Sequence, residues 1–115
     1  MIITIYQKPT CSTCRTVYSA LQQAGVDFES VNYYLDPIPK NKVKELLAKL
    51  NMTARELLRT KEPIYRELKL SQRVLTDDEL IDYMVQYPDL IQRPIVEKGK
   101  QAILARPPER LNEIL

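Results

Sequence analysis

Two cysteines separated by two residues are the side chains best suited to chemistry in this chain of 115 residues. Cys11 and Cys14 form a Cys-x-x-Cys motif, which in a reducing compartment is more often redox-active or metal-binding than structural. The sequence has no histidine and no third cysteine, so a zinc site would need two carboxylates beside the pair, which is an unusual ligand set. The missing imidazole also excludes Cys-His hydrolases and Ser-His-Asp triads. We therefore expect a thiol oxidoreductase that binds no metal and uses Cys11 as its nucleophile.

The segments around the motif predict a strand, a cysteine loop and a helix. Ile2 to Tyr6 is a short β-branched and aromatic run, whereas Ser12 to Ala24 has apolar residues at helical spacing and is followed by Gly25. Cys11 then lies at a helix N-terminus, where backbone N–H groups and the helix dipole favour a thiolate or a bound oxyanion. Arg15, about one turn into the helix, adds positive charge. The alternative is a pair of buried, inert thiols, which cysteines often are.

The next segments continue an α/β pattern. Val26 to Tyr34 alternates apolar and polar residues and completes a βαβ unit. Residues 40–87 are helical in pattern, with capping boxes at Thr53–Glu56 and Thr76–Glu79. We interpret these helices as an insertion at about 40–87.

The C-terminal part predicts a hairpin and a last helix. Two apolar runs lie on either side of Lys98-Gly99-Lys100, and Pro107-Pro108 precedes a helix through Leu111, Ile114 and Leu115. The predicted fold is therefore α/β and thioredoxin-like, βαβ–helical insertion–ββα, with a mixed four-stranded sheet. A length of 115 residues favours a single domain over 1–115.

Charge and hydropathy exclude several partner classes. The net charge of +2 is too small to indicate a nucleic-acid or membrane surface. We find no apolar run of the roughly 20 residues that cross a bilayer, and the first residues lack the basic region of a signal peptide. We expect a cytoplasmic protein that binds neither nucleic acid nor a membrane directly.

The sequence resembles the family of arsenate reductases and Spx-type proteins over essentially its whole length. The matching segments are Tyr6–Arg15, Leu57–Arg59, Thr76–Asp82, Arg93–Val96 and Arg106–Glu109. In the reductases of that family, a cysteine after the first strand attacks arsenate and three arginines hold the oxyanion and the thiol adduct. The resemblance assigns these roles to Cys11, Arg59, Arg93 and Arg106, and it favours a cis peptide bond before Pro94. An oxyanion suits arginines because guanidinium groups make bidentate contacts that ammonium groups cannot.

The resemblance also implies the partners. Arsenate or a similar oxyanion is the expected substrate, glutathione is the reductant, glutaredoxin (or thioredoxin) is the protein partner, and no bound cofactor is expected. Gln7 stands where many of these reductases have a histidine, so activation of Cys11 would depend on the helix terminus and the arginines. Cys14 stands where they usually have serine, and is either a resolving thiol or a packing residue.

Two other functions remain open from the sequence. A Spx-type regulator would bind RNA polymerase and use a Cys11–Cys14 disulfide as its switch. A general dithiol oxidoreductase is a third reading, but Ser12-Thr13 and the absence of tryptophan depart from the thioredoxin pattern.

Overall fold

The computed structural model describes residues 2–115. Its strands are β1 (Ile3–Gln7), β2 (Phe28–Asn32), β3 (Ile95–Lys98) and β4 (Gln101–Leu104). Its α-helices are α1 (Ser12–Gln23), α2 (Lys40–Leu50), α3 (Ala54–Leu57), α4 (Pro63–Glu67) and α5 (Asp77–Gln86). Short 3₁₀ helices span Leu70–Gln72, Pro88–Leu90 and Pro108–Glu113.

The four strands form one mixed sheet in the order β2-β1-β3-β4. β1 is parallel to β2 and antiparallel to β3, and β3 is antiparallel to β4. This confirms the predicted βαβ unit, the hairpin and the mixed four-stranded sheet. It also means that the C-terminal ends of β1, β2 and β4 and the N-terminal end of β3 share one edge of the sheet.

One side of the sheet is covered by α1 and the last 3₁₀ helix. Val17 and Leu21 of α1 are fully buried and belong to one core cluster with Ile3 and Ile5 of β1. These positions follow from helical and strand periodicity, since residues four apart in a helix and two apart in a strand share a face. Burial of these side chains fixes the direction in which α1 leaves the loop after β1.

The chain divides into two compact units. One comprises the chain up to Asp36 together with Arg93–Leu115, and the other comprises Pro37–Gln92. In the second unit, α5 packs against α2 and α3, and both predicted capping boxes are present, with Thr53 and Thr76 as the N-cap residues. A single domain over 1–115 stays a prediction.

The structure differs from the sequence-based expectation in several elements. β2 is shorter than the predicted Val26 to Tyr34 strand, and α4 lies within the helical pattern of 40–87 but was not predicted as a separate helix. The last helix is a 3₁₀ helix, Pro108–Glu113, in which a proline at the first position suits the tight first turn. The Arg93–Pro94 bond is cis as expected, and the Arg106–Pro107 bond is also cis, which was not predicted. Among residues 2–115, no helix has both the length and the apolar character needed to cross a membrane.

Candidate active site

Four residues of the candidate site lie next to strand ends at one edge of the sheet. This is the edge that the C-terminal ends of β1, β2 and β4 share with the N-terminal end of β3. Cys11 lies in the loop after β1 and Tyr33 directly follows β2. Arg93 precedes β3 and Arg106 follows β4. The sheet topology therefore brings residues from both ends of the chain to the N-terminus of α1.

Cys11 is the N-cap residue of α1. Its backbone is extended, with φ −81° and ψ 125°, and its sulfur accepts a hydrogen bond from the Cys14 backbone N–H at 3.3 Å. The backbone N–H of Arg15 donates to the Cys11 carbonyl at 3.0 Å and begins the helical hydrogen-bond ladder. A sulfur at this position can accept hydrogen bonds from backbone N–H groups that have no partner within the helix. These hydrogen bonds favour the ionised form of the sulfur.

The surroundings of Cys11 make it acidic. Partial burial opposes ionisation, but hydrogen bonds from the Cys14 thiol and backbone N–H, a hydrogen bond from Arg106 and the charge of Arg93 together lower the pKa of Cys11 from 9.0 to about 7. Each of these groups stabilises the negative sulfur more than the neutral thiol. Cys11 is half-buried, so its thiolate remains within reach of a small reactant.

Cys14 has the opposite character. Its side chain is fully buried, and this burial, with the neighbouring Cys11 sulfur, raises the pKa of Cys14 to about 12. At neutral pH Cys14 is therefore a neutral thiol that can donate its S–H to the Cys11 thiolate. Both cysteines are free thiols in the structure.

Arg93 and Arg106 form a connected pair. Arg93 is only 5% exposed, and its Nε and Nη1 atoms are buried. Arg106 Nη1 donates a hydrogen bond to the Arg93 carbonyl oxygen at 2.9 Å. Burying a guanidinium is costly unless charges or hydrogen bonds compensate for it. Two cations beside one thiolate form a site suited to a small anion.

Two further arginines from the sequence analysis have different surroundings. Arg15 is exposed on α1, and the groups that lower the pKa of Cys11 are Cys14, Arg106 and Arg93. Arg59 belongs to the unit Pro37–Gln92, where its Nε donates to Glu62 at 2.7 Å. Its backbone N–H donates to the Leu90 carbonyl at 2.7 Å, beside the bridge between Leu58 and Ile91.

Gln7 and Tyr33 add details that the sequence did not predict. Gln7 is buried at the end of β1, and its Nε2 donates a hydrogen bond to Ser30 Oγ at 2.5 Å. This side chain therefore links β1 to β2 by a hydrogen bond. Tyr33 is 1% exposed and hydrogen-bonds to the Arg93 side chain. The sequence pattern predicts Tyr33 within a strand, whereas the signal for its contact with Arg93 is an aromatic residue with a polar tip just past a strand end.

Among residues 2–115, no three histidine, cysteine, aspartate or glutamate side chains lie close enough together to bind an ion. This edge of the sheet offers thiols, guanidinium groups and a phenol to a bound molecule.

Comparison with known proteins decides the family. Residues 6–114 match the ArsC family. The chain belongs to the ArsC family. It is 38% identical over 113 residues to an arsenate reductase of Escherichia coli K12, a match that covers 98% of this chain and 80% of that protein. It is 40% identical over 114 residues to the uncharacterised protein YfgD of the same organism, covering 98% of this chain and 96% of YfgD.

A solved structure gives the same result for this ArsC-family chain. The arsenate reductase from Vibrio cholerae superposes with a TM-score of 0.95 at 36% identity, covering 100% of this chain and 98% of the other. The α/β fold and the resemblance noted from the sequence are thus confirmed over the full length.

Proposed function

We propose that this ArsC-family chain reduces arsenate to arsenite through a covalent adduct on Cys11. The observation that carries the proposal is the Cys11 thiolate, with its pKa lowered to about 7, beside the guanidinium groups of Arg93 and Arg106. The named activity of the relatives from E. coli and V. cholerae supports it. A tetrahedral oxyanion needs cationic hydrogen-bond donors, which Arg93 and Arg106 supply. A nucleophile must be ionised at neutral pH, and the lowered pKa of Cys11 meets this condition.

The first step is attack of the Cys11 thiolate on arsenic. A sulfur–arsenic bond forms, and one arsenate oxygen leaves as water after it has taken up protons. Arg93 and Arg106 neutralise the remaining oxygens, which reduces the repulsion between the thiolate and the anion. The arsenic is still As(V) in this adduct.

Reduction requires two electrons from thiols. Two glutathione molecules supply them: arsenate and two glutathiones become arsenite, one glutathione disulfide and one water. The first glutathione thiolate attacks the Cys11 sulfur and breaks the sulfur–arsenic bond, whose electron pair goes to arsenic, so arsenite leaves and a Cys11–glutathione disulfide remains. Glutaredoxin serves as the protein partner that removes this glutathione from Cys11 by thiol–disulfide exchange, and the second glutathione restores glutaredoxin as glutathione disulfide forms. No bound cofactor is needed in this scheme. Because it needs reduced thiols and glutathione, we propose the cytoplasm as its compartment.

Arg59 is proposed as a third oxyanion ligand on the family resemblance. Its Nε pairs with Glu62 at 2.7 Å, three residues further along the chain. Such a pair orients the guanidinium while leaving its terminal nitrogens able to donate to another group.

The test is arsenate-dependent oxidation of glutathione in the presence of glutaredoxin. We expect turnover by the wild-type chain and none by Cys11→Ser, since the hydroxyl is not ionised at neutral pH and cannot form the adduct. Cys11 is half-buried at a helix start, so the substitution should preserve the fold, which circular dichroism would check. Turnover by Cys11→Ser close to that of the wild type would refute the adduct.

One observation favours a second function. The Cys11 and Cys14 thiols are hydrogen-bonded to each other, so they are neighbours, as a disulfide switch of the Spx type requires. Such a regulator would bind RNA polymerase. A polymerase pull-down with the reduced and oxidised chain tests this alternative, and redox-dependent capture without arsenate turnover would favour it.

A further inference from the structure

Tyr33 has a phenol hydroxyl in the interior of the protein. The residue directly follows β2, is 1% exposed, and its ring lies 5.1 Å from that of Tyr34. A buried phenol normally requires a hydrogen-bond partner, because an unsatisfied hydroxyl loses its solvation without compensation. The identity of that partner therefore indicates what Tyr33 does.

The partner of Tyr33 is the side chain of Arg93. The guanidinium donates a hydrogen bond to the phenol oxygen. Tyr33 leaves β2 and Arg93 enters β3, and these two strands lie on opposite sides of β1. The contact therefore spans the end of β1, from which the Cys11 loop begins.

We propose that Tyr33 is a positioning residue, whose hydroxyl accepts a hydrogen bond from Arg93 and holds that guanidinium beside Cys11 and the bound oxyanion. This inference rests on the proposed function of the same site. Arg106 fixes the Arg93 backbone through its hydrogen bond to the Arg93 carbonyl at 2.9 Å, whereas Tyr33 fixes the Arg93 side chain. The two contacts act on different parts of one residue.

A neutral phenol suits this task better than a carboxylate. Burial raises the pKa of Tyr33, so the hydroxyl is protonated at neutral pH. It therefore orients Arg93 without cancelling its charge, which remains available to the thiolate and to an anion. A carboxylate at this position would compete with the oxyanion for the guanidinium.

The experiment compares Tyr33→Phe with a matched control, Tyr18→Phe. Both variants lose one phenol hydroxyl from the same compact unit, but Tyr18 lies on α1 with its ring 5.3 Å from Phe28. Two quantities are measured by iodoacetamide labelling: the pH midpoint of Cys11 alkylation without oxyanion, and the arsenate concentration that half-protects Cys11. Thermal unfolding of each variant reports the integrity of the fold.

We expect Tyr33→Phe to raise the alkylation midpoint and to raise the half-protecting arsenate concentration about tenfold, the size expected for losing a hydrogen bond to a charged group. Tyr18→Phe should match the wild type. In an Arg93→Lys background, Tyr33→Phe should add little, because it acts through the guanidinium. Wild-type values for a folded Tyr33→Phe would overturn the inference.

The test also covers a Tyr33→Phe variant that does not fold and a wild-type chain that arsenate does not protect. If Tyr33→Phe does not fold, the wild-type chain is studied by NMR: nuclear Overhauser contacts between the Tyr33 ring and the Arg93 side chain support the tether, and their absence refutes it. If arsenate fails to protect wild-type Cys11, the proposed function fails. The alkylation midpoint of Tyr33→Phe then still decides whether Tyr33 positions Arg93.

Discussion

The backbone N–H of Cys14 donates a hydrogen bond to the Cys11 sulfur at 3.3 Å, and the Cys14 side chain donates a second one. The two thiols of the motif thus have different states at neutral pH. Cys11 is ready to ionise, whereas Cys14 is buried and keeps its proton. This asymmetry is the basis of the first three predictions.

Alkylation of Cys11 by iodoacetamide should follow a pH midpoint of about 7. Only the thiolate reacts, so the rate should fall about tenfold for each pH unit below the midpoint and level off above it. Cys14 should remain unlabelled in the folded protein because it is fully buried. In denaturant both cysteines should react, with midpoints near the ordinary value. A native midpoint at or above the free-cysteine value of about 8.5 would contradict helix-terminus and arginine activation.

Substitution of Cys14 should change the acidity of Cys11. Cys14→Ala removes the side-chain donor and should raise the pKa of Cys11, whereas Cys14→Ser keeps an O–H donor and should raise it less. The alkylation midpoint measures both. Both variants retain the backbone N–H, so their difference isolates the side-chain hydrogen bond. Equal midpoints in the two variants and the wild type would show that this hydrogen bond has no effect on Cys11.

Cys14 should not become a resolving thiol during turnover. Its burial and its pKa of about 12 make it a poor nucleophile at neutral pH, so Cys14→Ser should retain most glutaredoxin-dependent activity. Glutathione should be found on Cys11 alone. Intact-protein mass spectrometry after arsenate treatment without added thiol provides the check. A loss of about two daltons mapped to a Cys11–Cys14 link, as one disulfide requires, would contradict this and favour the sensor function.

Arg93→Lys and Arg106→Lys should each reduce arsenate turnover although both keep the charge. Lysine lacks the planar fork, so Arg106→Lys cannot make both the 2.9 Å contact to the Arg93 carbonyl and the contact to Cys11 in the same geometry. We expect losses of tenfold or more in kcat/KM, on the order of one charged hydrogen bond. Arg15→Lys is the control, since Arg15 is exposed. Wild-type kinetics in both substituted chains would remove these arginines from the site.

Arg59→Ala should lower kcat/KM for arsenate, whereas Arg110→Ala should not. The two arginines are matched, because each pairs with a glutamate three residues later, Arg59 with Glu62 at 2.7 Å and Arg110 with Glu113 at 3.1 Å. Loss of the exposed Arg110–Glu113 pair costs the fold little, whereas the Arg59–Glu62 pair is part-buried, so thermal unfolding of both variants is measured beside the kinetics. Steady-state kinetics with both variants therefore separates an oxyanion ligand from a surface ion pair. Equal kcat/KM values for the Arg59→Ala and Arg110→Ala variants would show that Arg59 has only a structural role.

The sequence predicted most of the fold because its strongest signals are local. The capping boxes at Thr53 and Thr76, Gly25 at the end of α1 with φ 68°, and Gly99 in the hairpin turn with φ 60° all appear where residue type required them. α4 was not predicted as a separate helix, because a single turn opened by Pro63 gives too short a pattern to recognise by periodicity.

The candidate site was predictable only in part. Cys11 follows from its motif and helix start, but its contacts with Arg93 and Arg106 depend on strand order, which no local pattern contains. Tyr33 was missed for the same reason, since its contact with Arg93 crosses the end of β1. The action of Arg15 on Cys11, expected because the two are near in sequence, stays a prediction, whereas Arg93 and Arg106, which lower the pKa of Cys11, are distant in the chain.

The hydrogen bond from Arg106 to Cys11 joins the thiol to a residue that is synthesised much later. A ribosome-bound chain that lacks β4 has the thiol but lacks this guanidinium. The pKa of its Cys11 thiol lacks the lowering contribution of Arg106 and is therefore closer to the ordinary value of 9.0 than in the finished protein. We therefore expect full reactivity of Cys11 only when the β3–β4 hairpin has joined the sheet, and a thiol that is less readily oxidised while the chain is still being made.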